Sequence, residues 1–96
     1  MDNDIKKYLP LGTVVLLKNA TKRVMITGFA GVSPEHKGQM FDYSGCVYPE
    51  GFSSYKEIFA FNHSQIAEII SLGYVDQEQI EFEKKLEEKV SQYNNK

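Results

Sequence analysis

The 96-residue sequence has no tryptophan, a single cysteine, three prolines and no excess of positive charge. One cysteine excludes an internal disulfide and a multi-thiolate metal site. Eleven Lys/Arg against 13 Asp/Glu leave a formal charge of −2, whereas phosphate-dominated binding needs a concentrated cationic surface. No uninterrupted apolar run is longer than Val14–Leu17, which has 4 residues, far short of the roughly 20 that span a bilayer. Residues 1–7 lead into Tyr8-Leu9-Pro10 and not into an apolar stretch, so no signal peptide is expected and the protein reads as cytoplasmic. The length suits one domain with a modest core. A hydrophobic fraction of 42% with 25% charged residues is that of an ordinary globular chain and not of a disordered one.

What is present is unevenly placed. Residues 1–75 carry seven basic and seven acidic side chains, whereas residues 76–96 carry six acids against four lysines. The surplus acid therefore lies in the C-terminal segment, which also lacks Gly and Pro. Most Gly, Pro and aromatic residues fall between positions 8 and 61. This shift in composition predicts a strand-rich body followed by helices.

Along the chain, Leu9-Pro10-Leu11-Gly12 reads as a turn feeding a strand over 13–18, with both faces covered because apolar residues are consecutive. Residues 19–22 form a short polar hairpin loop. A second strand follows over 23–32, with Gly28 marking a bulge or a close backbone approach. Residues 33–39 are loop-like, and 40–48 form a third strand with Phe41, Tyr43, Gly45 and Val47 on one face. Tyr48-Pro49-Glu50-Gly51 has turn chemistry, since proline pre-sets φ and glycine suits the fourth position. A fourth strand covers 57–61. The period then changes: Asn62 with Gln65 resembles a capping box, Ile66, Ile69 and Ile70 make a helical stripe, and Gly73 serves as a helix terminator. Asp76 with Gln79 repeats the start signal, and Phe82, Leu86, Val90 and Tyr93 recur at helical spacing. The expected fold is α+β: an antiparallel sheet of about four strands over 8–61, then helices at about 63–72 and 77–93. Residues 8–93 make the single domain, after a polar lead at 1–7 and before a frayed tail at 94–96.

Convergent reactive groups are lacking. Cys46 sits in the middle of a strand, where a thiol behaves as a small hydrophobe. His36 and His63 have no HxxxH or HxH spacing, so no metal site is expected, and Gly28 and Gly31 do not open a phosphate-cradling helix. No catalytic, cofactor-binding or metal-binding residue is assigned, and the chain is read as a non-enzyme without cofactors. Base stacking on its aromatics remains the competing reading. It is opposed by a neutral body whose only basic cluster is Lys18, Lys22 and Arg23.

A protein partner is the reading that remains. Six Tyr and six Phe exceed the needs of a small core, and tyrosine is favoured at interfaces. Phe41, Tyr43, Tyr48, Phe52 and Tyr55 concentrate around one turn, and with Pro49, Glu50 and Gly51 they form the candidate partner surface. The stripe Phe82, Leu86 and Val90 serves either to dock the last helix on the sheet or as a second partner surface.

The strings Tyr8-Leu9-Pro10-Leu11-Gly12-Thr13-Val14-Val15-Leu16-Leu17-Lys18 and Lys22-Arg23-Val24-Met25-Ile26-Thr27-Gly28 carry a resemblance. Tyr43-Ser44-Gly45-Cys46-Val47-Tyr48-Pro49-Glu50-Gly51, Phe61-Asn62-His63 and Gly73-Tyr74-Val75-Asp76 continue it in order. Over about residues 8–83 the chain resembles a small Firmicutes family catalogued as a domain of unknown function, number four-one-seven-six. The resemblance implies a type VII (ESX/Ess-type) secretion locus and an adaptor or targeting-chaperone role. The implied partner is an LXG-domain toxin or a small helical partner of that toxin; the charge balance and the short apolar runs argue separately against nucleic acid and membrane. The resemblance supplies no catalytic residues, and it marks Tyr48, Pro49, Glu50 and Gly51 as structural or interface positions. Tyr74-Val75-Asp76-Gln77-Glu78 also fits the Tyr-x-x-x-Asp/Glu export pattern, which makes export of the protein itself an alternative. With six tyrosines and 13 acids, composition alone gives about one such match.

Overall fold

Val14–Leu17 (β1) and Arg23–Phe29 (β2) form an antiparallel hairpin in which Val15 faces Val24 and Leu16 faces Arg23. The computed structural model describes residues 8–29, 40–52 and 58–94. Asn19, in the link between β1 and β2, takes a positive φ of 63°, a conformation its short polar side chain tolerates. Tyr43–Val47 (β3) pairs with β2, and Phe59–Phe61 (β4) pairs with β3. The β2–β3 register shifts between Ile26 and Gly28, which is the bulge expected at that glycine.

After β4 the structure departs from the expected helix. His63–Gln65 is a single 3₁₀ turn, and Ile66–Ser71 is a fifth strand (β5), paired antiparallel with β1. The strand order is β4-β3-β2-β1-β5. The observed α+β fold therefore has five strands and one helix in place of four strands and two helices. Asn62 does make the expected start signal: its N–H donates to Gln65 Oε1 at 2.7 Å, while the Gln65 N–H donates to the Asn62 carbonyl at 2.9 Å. The turn it opens stops after three residues, because Ile66, Ile69 and Ile70 are β-branched and the free edge of β1 is there to be paired. Gly73 accordingly ends no helix. Its N–H donates to Thr13 Oγ1 at 3.0 Å, and a Cβ at Gly73 would collide with the Leu11 carbonyl.

This connectivity bends the sheet. Five flat strands would hold β4 and β5 roughly 19 Å apart. The chain crosses from Phe61 to Ile66 through four residues, three of them in the compact 3₁₀ turn, a span of roughly 13 Å. A flat sheet does not satisfy both distances, so the sheet bends and twists between β4 and β5. Lys18 N–H, donating to the Gln65 carbonyl at 2.8 Å, fastens the end of β1 to the crossing. The inner face carries Val15, Val24, Ile26, Tyr43 and Phe61, all 3% exposed or less. On the opposite face Val14, Met25 and Cys46 form a lateral row across three strands, with Val14 and Cys46 also buried.

Gln77–Asn94 (α1) is the helix expected at that position. Asp76 caps it, its Oδ1 accepting from the Gln79 N–H at 2.9 Å. The chain divides into two compact units, one of residues Leu9–Tyr74 and one that contains α1. No helix among the described residues is long and apolar enough to cross a membrane.

Candidate functional site

The turn after β3 is built by its neighbours. Tyr48 N–H donates to the Arg23 carbonyl at 2.9 Å, and Gly51 N–H to the Val47 carbonyl at 2.9 Å. The Tyr48–Pro49 peptide bond is cis, and Gly51 takes a φ of 80°, a region that favours glycine. Two side-chain contacts fasten the turn to the β1–β2 hairpin. Lys22 Nζ lies 2.7 Å from Glu50 Oε1 and 2.8 Å from Oε2, and the Arg23 guanidinium sits 5.2 Å from the centroid of the Tyr48 ring. The hydrogen bond from Lys22 holds the Glu50 carboxyl below its ordinary value of 4.5. The basic cluster seen in the sequence is therefore partly neutralised by an acid 28 residues away.

The candidate partner residues do not share one environment. Tyr48, Pro49, Glu50 and Phe52 are exposed at this turn, with Phe52 at 52%, and Gly51 is half-buried among them. Tyr43 leaves the candidate surface, since it is fully buried and packs against Phe61 at a centroid distance of 5.4 Å and Phe29 at 6.3 Å. Phe41 is half-buried. Tyr55 lies outside the described residues. On α1, Phe82 is exposed while Leu86 and Val90 are half-buried.

Sequence reasoning missed a second constellation, the clasp at the crossing between β4 and β5. Leu9 N–H donates to Tyr43 Oη at 3.0 Å, and the hydroxyl lies 2.7 Å from His63 Nδ1. The Tyr43 hydroxyl thus accepts from the Leu9 amide and shares a second hydrogen bond with the His63 ring, whose direction depends on the imidazole tautomer. His63 N–H donates to Asp42 Oδ2 at 2.8 Å, and Asp42 N–H to Asn62 Oδ1 at 3.0 Å. Three motif residues, Tyr43, Asn62 and His63, thus have a structural task. The available signal was Gly45, which shares a face with Tyr43. A Cβ there would lie 3.0 Å from the Phe61 ring and 2.7 Å from the Met25 carbonyl oxygen, so glycine leaves space for the large rings beside it.

Cys46 is a free thiol, 2% exposed, on the face of β3 opposite Tyr43. The hydroxyl that occupies His63 Nδ1 is therefore on the other side of the strand from the thiol, so these two groups form no nucleophile–base pair. Tyr74 is 77% exposed and precedes α1, with Glu78 in the first turn of that helix.

A family model described as "Domain of unknown function (DUF4176)" matches residues 8–82. No curated protein and no solved structure matches the chain.

Proposed function

We propose, from the premise that the chain belongs to the DUF4176 family, that it is a non-enzymatic adaptor or targeting chaperone of type VII secretion. Its partner in this reading is the helical region of an LXG-type toxin, or a small helical partner of that toxin. The observation that carries the proposal is the exposed turn from Tyr48 to Phe52, held in place from outside by Lys22 and Arg23. Aromatic rings presented on a positioned turn bury area at a low entropic cost when a partner arrives. The separation of Cys46 from His63 supports the non-enzymatic part. The cytoplasm is the compartment in which a chaperone meets its cargo before export.

Co-purification with an LXG-domain protein encoded in the same locus is the test. The folded chain should retain that protein, and Tyr48→Ala and Phe52→Ala should weaken retention while leaving the melting temperature nearly unchanged. Failure to bind any neighbouring gene product would sink the proposal. A large fall in melting temperature from both substitutions would assign the two rings to packing and remove the turn from the interface.

A further inference from the structure

The same turn carries a cation that the fold does not use up. Lys18, Lys22 and Arg23 flank the β1–β2 hairpin loop, and the Glu50 carboxylate reaches Lys22 there. Glu50 is taken by Lys22, whose ammonium contacts both of its oxygens. Arg23 has no carboxylate partner among the described residues. Its guanidinium is nevertheless oriented, because one face lies over the Tyr48 ring at 5.2 Å and its backbone is fixed in β2, where its carbonyl accepts from Tyr48 N–H. A guanidinium stacked on a ring keeps its N–H edge free, and that edge matches a carboxylate in bidentate geometry. The Tyr48 ring beneath it is 37% exposed, and Phe52, four residues further along the same turn, is 52% exposed.

We infer that Arg23 is the polar anchor of the partner surface and takes an Asp or Glu side chain from the partner protein. The residues next to that acid are apolar and lie on Tyr48 and Phe52. The inference rests on the adaptor reading and specifies the chemistry of its partner: an acidic-apolar segment and not a basic one. Charge complementarity decides the sign: Lys22 and Glu50 neutralise each other, and Lys18 and Arg23 then stand against Glu68, which shares a cross-strand row with Arg23 through Leu16, so this end of the sheet keeps a positive balance. Lys22 and Glu50 act as a brace that holds the turn in position, while Arg23 makes the contact.

The test measures affinity for the LXG-domain protein of the same locus by titration calorimetry, with circular dichroism melts alongside. Arg23→Glu should weaken binding about tenfold or more, with no more than the small fall in melting temperature that loss of its contact with the exposed Tyr48 ring brings. Arg23→Lys keeps the charge but loses the planar fork, so it should fall between the two. Wild-type binding should weaken with added salt, and that slope should flatten in Arg23→Glu. Wild-type affinity retained in Arg23→Glu would overturn the inference and leave the adaptor reading standing. No binding by the wild-type chain would overturn both. A wild-type dimer that Arg23→Glu converts to a monomer, with toxin binding intact, would make the acidic segment that of a second copy and overturn the inference.

Discussion

The Tyr43 hydroxyl holds two groups at a place closed to bulk solvent: it accepts from Leu9 N–H and shares a hydrogen bond with His63 Nδ1. Removing it leaves a partly buried donor and a ring nitrogen without that partner, each of which carries a desolvation penalty. Tyr43→Phe should therefore destabilise the chain by about 1–3 kcal/mol in urea unfolding without weakening partner binding in the fraction that stays folded. Gly45 sets a steric limit on the same face. Alanine there would press on the Met25 carbonyl and the Phe61 ring, and Gly45→Ala should cost about 1–3 kcal/mol by overpacking. Glu50 behaves differently because it is exposed. Its carboxyl is held below the ordinary value of 4.5 by the hydrogen bond from Lys22 and by a backbone hydrogen bond. A carboxyl lowered in the folded state adds stability above its ordinary value and loses it as pH falls through the lowered one. The difference in melting temperature between wild type and Glu50→Gln should thus be small near pH 7, shrink with salt and vanish in acid.

The elements show which arguments from pattern are sound. β1, β2, β3, β4 and α1 were legible because alternation, turn residues and the Asp76–Gln79 start signal are local properties, read within one segment. β5 was not. Ile66, Ile69 and Ile70 satisfy a helical spacing, and the Asn62–Gln65 box satisfies a helix start, yet the segment is a strand. What decides it is the open edge of β1, some fifty residues earlier in the chain, and no window over 62–73 contains that edge. The exposure of Ile69 at 48% and Ile70 at 43% agrees with a strand in which adjacent residues point to opposite faces. The candidate site divides in the same way. The Tyr48–Phe52 turn could be read from Pro49 and Gly51, whereas the burial of Tyr43 depends on Gly45 and Phe61 meeting across strands. The cap of α1 is local again, and Asp76→Ala should lower helicity at 222 nm and cost about 1 kcal/mol.

At the scale of the Leu9–Tyr74 unit, the segments before and after β5 are each tied by hydrogen bonds to a neighbouring part of the sheet. Asp42 stands before β3 and Asn62-His63 stand in the crossing to β5. They exchange two bonds, Asp42 N–H to Asn62 Oδ1 and His63 N–H to Asp42 Oδ2. Two residues beyond β5, Gly73 N–H is bound by Thr13 Oγ1, which itself donates to the Pro10 carbonyl at 2.7 Å. β5 is thus pinned at both ends, although most of its side chains are exposed, and apolar burial alone does not explain why it remains on β1. If the Asp42 and Asn62 bonds act as one closure, breaking the first should release much of the second. Asp42→Ala and Asn62→Ala should each cost about 1–3 kcal/mol, and the double variant should fall short of their sum by about 0.5 kcal/mol or more. Strict additivity in that cycle would mean that the two bonds hold separately.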